Sequence, residues 1–146
     1  IPSAEQMRGV SQIVRTHRGK TKLYIESCFS PLLALASDTK LLGNLNVGNN
    51  KGCAAGRTTF SVNVDGLLSP CRHLEYFEKW DTLEDYWNNS QMLQTIRHLE
   101  ENKEEPCLSC KFCDYCRHCL SINSKLKGKL YIGNEFCPLS NEYKGT

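Results

Sequence analysis

Cys107, Cys110, Cys113, Cys116 and Cys119 stand at an unbroken two-residue spacing in the run C-L-S-C-K-F-C-D-Y-C-R-H-C, preceded by Cys53 and Cys71 and followed by Cys137. The thiolate is the soft donor that selects zinc or iron–sulfur clusters, and a C-x2-C spacing lets two sulfurs of one tight turn reach a single centre. Magnesium and calcium, which want oxygen ligands, are poor fits. A disulfide framework is the competing use of nine cysteines in 146 residues. The odd count, the chain length and the strained, ambiguous pairings that five cysteines two residues apart would give all oppose it. The spacing therefore predicts a metal or cluster site.

His73 and His118 sit beside cysteines and are eligible zinc ligands, although a histidine beside a ligand more often supports it or faces solvent. Cys28 stands alone and reads as a small buried hydrophobe rather than a ligand or reactive thiol. Hydrolytic or nucleophilic catalysis by cysteine and histidine carries little weight, since no base with its orienting carboxylate can be picked out.

The chain suits one medium domain, or a small domain with a piece of another. A net charge of +2 leaves no basic block, and Lys125, Lys127 and Lys129 read as a solvated strand or loop face, so nothing calls for nucleic acid. Neither a long apolar run nor a signal-peptide pattern is present, so no membrane span is expected, and reduced thiols point to the cytoplasm. The opening at Ile1-Pro2, without an initiator methionine, suggests a portion of a longer protein.

The elements that would position these residues can be read in order. Ser3 with Gln6 forms a capping box for a helix carrying Met7, Val10, Ile13 and Val14, ended by Gly19. Thr21 to Glu26 alternates as a strand, and Pro31 to Ala36 starts a short helix, so residues 1–41 read as the end of an α/β barrel. Residues 42–52 form a linker rich in glycine and asparagine. Thr58 to Val64 and Leu67 to Cys71 pair as a hairpin across Asp65-Gly66, which signals a type I′ turn. A helix starts at Asp81 or Thr82 with Asp85 completing its box, Asn88-Asn89-Ser90 interrupts, and Met92, Leu93, Ile96 and Leu99 resume the helical period. Trp80, Tyr86 and Trp87 are placed in the core, and Lys129 to Ile132 reads as a further strand.

The order Cys53-x12-Gly66-x4-Cys71, then Cys107-x2-Cys110-x5-Cys116-x2-Cys119, then Cys137 closely resembles the seven-cysteine signature of the SPASM domain, found at the C-terminus of radical SAM enzymes that modify peptides and proteins. The segment W-D-T-L-E-D-Y-W-N-N-S resembles that family's linker helices. The resemblance implies an α+β, SPASM/twitch-like fold over residues 53–146, a β-hairpin and short helices around two auxiliary 4Fe-4S clusters, preceded by the end of a TIM-type barrel. One spacing departs: the family has three residues between its last two knuckle cysteines, and here there are two.

By the same resemblance, Cys53, Cys71 and Cys119 would hold the first cluster, and Cys107, Cys110, Cys116 and Cys137 the second. Cys113 is additional, which leaves open how Cys113, Cys116 and Cys119 divide between the centres. With three ligands, the first cluster would keep an open iron or recruit Cys113 or Cys28. The C-x3-C-x2-C motif of the SAM-binding cluster is absent from the sequence, so this chain is not expected to start radical chemistry alone. Its clusters would relay electrons for, or hold, a peptide or protein substrate beside a separate radical SAM barrel, in an oxidoreductase-type peptide maturation. The other class that fits the thiols is a structural zinc-binding interaction module.

Overall fold

The computed structural model describes residues 3–21, 23, 26, 52–110, 113, 116, 117, 119–133 and 137. Most of the expected strand at 21–26 and of the linker, the helix at 31–36, Cys28 and His118 lie outside the described residues.

Helix α1 spans Ala4–Thr16 and starts as its sequence dictates. The Ser3 hydroxyl accepts from the Gln6 amide at 3.2 Å, and the Ser3 amide donates to Gln6 Oε1 at 2.7 Å. Its end comes earlier than Gly19. His17 leaves the helix at ψ 124°, and the Arg18 guanidinium donates to the Arg15 carbonyl at 2.8 Å, so a side chain rather than a left-handed glycine satisfies the last turn. Val10 and Ile13 remain exposed on it.

The hairpin pairs β1, Ser61–Val62, with β2, Leu68–Ser69, antiparallel, Ser61 opposite Ser69 and Val62 opposite Leu68. Its strands are shorter than expected, and the turn is not type I′. That turn needs a positive φ at both central residues, whereas Gly66 has φ 76° and no non-glycine residue among those described has a positive φ. Asn63 explains the difference. Its side-chain oxygen accepts from the amides of Asp65 at 3.0 Å and Leu67 at 2.8 Å, and the Gly66 amide donates to its carbonyl at 3.1 Å. Asn63 thus opens the turn and only Gly66 takes the left-handed position, a bulged three-residue loop.

Helices α2 (Leu83–Asn89) and α3 (Gln91–His98) are divided by one residue. Thr82 caps α2 by accepting from the Asp85 amide at 3.1 Å. Ser90 ends α2 and caps α3: its amide donates to the Tyr86 carbonyl at 3.1 Å, and its hydroxyl accepts from the Leu93 amide at 3.2 Å. A 3-10 turn, Leu99–Asn102, carries α3 into the charged stretch.

The sequence reading assigned no helix after the cysteine run, yet α4 occupies Leu120–Lys127. Lys125 and Lys127 therefore lie in its last turn and not on a strand, where cations suit the helix's carbonyl end, and Gly128 closes it at φ 69°. The strand expected at Lys129 to Ile132 is reduced to one parallel bridge between Lys103 and Ile132.

Two apolar clusters hold these elements. Leu68, Tyr86 and Leu93 form one, with Phe60, Trp80 and Trp87 against it, so the aromatics serve as core. Burial holds the Tyr86 phenol far above its usual pKa. The other joins Cys53, Ala55, Leu74, Ile96, Leu99, Cys107, Leu120 and Ile132, with Cys71 and Cys113 packed at its edge. Each fully buried Leu or Ile contributes about 1.5–3 kcal/mol, and the cysteines are built into this second core.

Candidate metal centre

Cys53 enters through a glycine that nothing else could replace. Gly52 has φ 79°, and a Cβ there would lie 2.0 Å from the Arg117 amide nitrogen. This close approach lets the Cys53 amide donate to the Arg117 carbonyl at 2.8 Å. Beyond Cys53 the chain turns back, with the amides of Arg57 and Thr58 each donating to the Ala54 carbonyl at 3.1 Å.

Cys71 follows β2 directly. The buried Ser69 hydroxyl donates to the Cys71 carbonyl at 2.8 Å, and the His73 amide donates to Cys71 Sγ at 3.4 Å, a contact of the kind that orients and tunes a sulfur ligand. Cys119 is the residue before α4, and its carbonyl accepts from the Asn123 amide at 3.1 Å.

Between Cys107 and Cys116 backbone hydrogen bonds step from one cysteine to the next. The amide of Cys110 donates to the Cys107 carbonyl at 3.2 Å, that of Cys113 to Cys110 at 3.0 Å, and that of Cys116 to Cys113 at 3.3 Å. Each of these bonds joins residues three apart, the same step as the cysteine spacing. Cys107, Cys116 and Cys137 are buried, and Cys110 and Cys113 are half-buried.

Cys53, Cys71 and Cys119 line one cavity of about 360 Å³, together with Glu26, Phe60, His73 and Ser121. Burial pushes the Cys53 thiol above its usual pKa, and the neighbouring Cys119 and Cys71 push it the same way; backbone hydrogen bonds at Ala55 and Leu120 act in the opposite direction. A thiolate here needs a cation beside it. A second cavity, of about 560 Å³, shares His73, Leu74 and Ser121 with the first, and the Ser121 hydroxyl donates to the His73 carbonyl at 2.5 Å.

Arg117, between Cys116 and Cys119, is 1% exposed. Its guanidinium donates to the Ile96 carbonyl at the end of α3 and stands 4.0 Å from Glu100. Its Nη1 has no hydrogen-bond partner among the described residues, and burial, with Arg57 nearby, lowers its pKa. This pins the cysteine run to α3 and leaves a positive charge in the same core as Cys53.

All eight described cysteines are thiols rather than disulfides. Among the described residues, no group of three or more histidine, cysteine, aspartate or glutamate side chains is arranged to hold a single metal ion. Cys53, Cys71 and Cys119 are thus brought round a common space without converging on a point, and Cys107, Cys110, Cys116 and Cys137 do not form a single-ion group either. Sequence reasoning passed over Glu26, Arg117 and Ser121. Only the fold, which joins positions far apart in sequence, reveals them. No helix among the described residues is long and apolar enough to cross a membrane. No family model, curated protein or solved structure matches the chain.

Proposed function

We propose that this chain is the auxiliary 4Fe-4S cluster domain of a radical SAM enzyme that modifies a peptide or protein. The observation that carries the reading is the cavity shared by Cys53, Cys71 and Cys119, three thiols separated in sequence but gathered by the hairpin, the turn at Gly52 and the start of α4. The donor set fits such a cluster. Around one zinc at about 2.3 Å, thiolates stand ~3.8 Å apart, whereas a cubane carries each thiolate on its own iron and spreads them wider. Three thiols round a cavity of about 360 Å³ leave room for the wider arrangement.

A bound cluster would supply an electron acceptor or relay, with a potential set by ligands, hydrogen bonds and exposure. The chain's own residues would do the rest. Cys53, Cys71 and Cys119 would hold one centre, and Cys107, Cys110, Cys116 and Cys137 the other. The His73 amide would temper the Cys71 sulfur, and Leu74 and Phe60 would keep water from the thiols. The larger cavity beyond His73 and Ser121 would give a peptide side chain room beside the first centre. Radical generation would belong to a separate barrel.

The deciding experiment measures iron, sulfide and zinc on protein reconstituted without oxygen. About eight irons and eight sulfides per chain, the sum of two cubanes, would support the reading. One or two zinc ions with no iron uptake would replace it with a structural zinc module.

A further inference from the structure

We propose that Glu26 is the fourth donor to the centre of Cys53, Cys71 and Cys119, its carboxylate closing the mouth of the cavity those thiols line. The inference rests on the cluster reading of that cavity. A cubane has four iron corners, and three cysteines leave one without a protein ligand. Cys28 lies outside the described residues, and the other described groups in reach are poorer candidates. His73 lines the cavity, but its Nε2 faces Arg72 Nε at 3.0 Å. Arginine can only donate, so that nitrogen accepts from Arg72 and is engaged away from a metal. Cys113 packs at the edge of the core and is not among the residues that line the cavity.

Glu26 does line it, and it is exposed, which sets it where the cavity meets solvent. No hydrogen bond or ion pair occupies its carboxylate among the described residues. A carboxylate is a hard donor in an otherwise soft set, so it would hold the fourth iron against loss yet give way to a substrate oxygen or nitrogen. Such an exchange moves a lone pair at iron and involves no change in electron count.

The test compares the 146-residue chain with Glu26→Ala and Glu26→Cys, all reconstituted without oxygen and then mildly oxidised with ferricyanide. Low-temperature electron paramagnetic resonance and iron content follow the conversion of a four-iron to a three-iron cluster. Glu26→Ala should lose its fourth iron roughly tenfold faster than the parent, at the lower end of what lost ligand support costs, and Glu26→Cys should resist longer than the parent. Equal rates in all three proteins, with the parent holding its clusters, would overturn the role of Glu26 alone. A parent that takes up no iron would overturn the cluster reading and this inference with it.

Discussion

The amide of Cys53 donates to the carbonyl oxygen of Arg117 across 2.8 Å, fastening the loop before the hairpin to a residue of the cysteine run 64 positions later in sequence (117 − 53), a long loop whose closure costs chain entropy. The bond ties two proposed ligand segments through backbone, so the backbone approach of Cys53 to Arg117 does not depend on side-chain rotamers. It also buries the carbonyl and amide without leaving either unsatisfied.

Gly52 is the residue this contact depends on. Replacing Gly52 with alanine forces a left-handed non-glycine residue and drives its Cβ into the Arg117 backbone, 2.0 Å from N and 2.5 Å from Cα. The expected loss is about 3 kcal/mol or more, the upper end for forced backbone. Gly66→Ala is the control: φ is similar at 76°, but nothing lies within 4 Å of the added carbon, so only the conformational cost of about 1 kcal/mol applies. Urea unfolding of both variants checks the difference. Equal losses would mean that the approach of Gly52 to Arg117 does not matter.

Ser90 serves two helices at once, and its hydroxyl also donates to Glu78 at 2.6 Å. Ser90→Ala should cost ~1–2 kcal/mol through the lost cap, with Ser90→Thr recovering most of it. Thermal unfolding followed by circular dichroism is the readout. A loss below about 0.5 kcal/mol, the size of an ordinary surface substitution, would show that α3 does not need this cap.

Local features of the fold were legible in the sequence because local chemistry decides them. The capping box at Ser3, the cap at Thr82, the break at Ser90 and the hairpin turn all rest on residues within five positions of one another, roughly the range over which capping and turn hydrogen bonds act. The turn type was not legible, since Asn63 overrides the Asp65-Gly66 signal by accepting two amides. Helix α4 was hidden because L-S-I-N-S-K-L-K alternates like a strand, and burial of Leu120, Ser121 and Asn123 settles its period only once the core exists. The cysteine spacing pointed to chelation, and the resemblance grouped Cys53, Cys71 and Cys119. Their common cavity, the guanidinium of Arg117 and the carboxylate of Glu26 depend on contacts that no sequence period encodes.

Burial raises the Cys53 thiol, which fixes the sign of a pH effect in the metal-free chain. The unfolded thiol ionises near its ordinary value of about 8.5, while the folded one keeps its proton to higher pH. The folded state then binds more protons than the unfolded one, so stability falls as pH rises through and beyond that value. Metal loading, on the proposed reading, would reverse the trend, since a metal takes the thiolate and its affinity rises with pH. Urea midpoints of the metal-free chain between about pH 7 and 10, spanning the thiol value, should fall, and Cys53→Ala should flatten the slope. A midpoint that rises over that range would contradict the burial of a neutral thiol.

On the proposed reading, the cysteine run allows the two ligand sets to be separated. Cys107→Ser or Cys110→Ser should remove one centre, lowering iron from about eight to about four per chain. Because metal binding is folding energy in such domains, the region round the buried Cys107 should also lose stability. Cys113→Ser is the informative comparison, since Cys113 repeats the backbone period of its neighbours yet packs half-buried against the core. If Cys116 and Cys119 supply the ligands that the resemblance assigns them, Cys113→Ser keeps the full iron content. A loss of about four irons from Cys113→Ser, with Cys116→Ser unaffected, would move Cys113 into the second centre and release Cys116 from it.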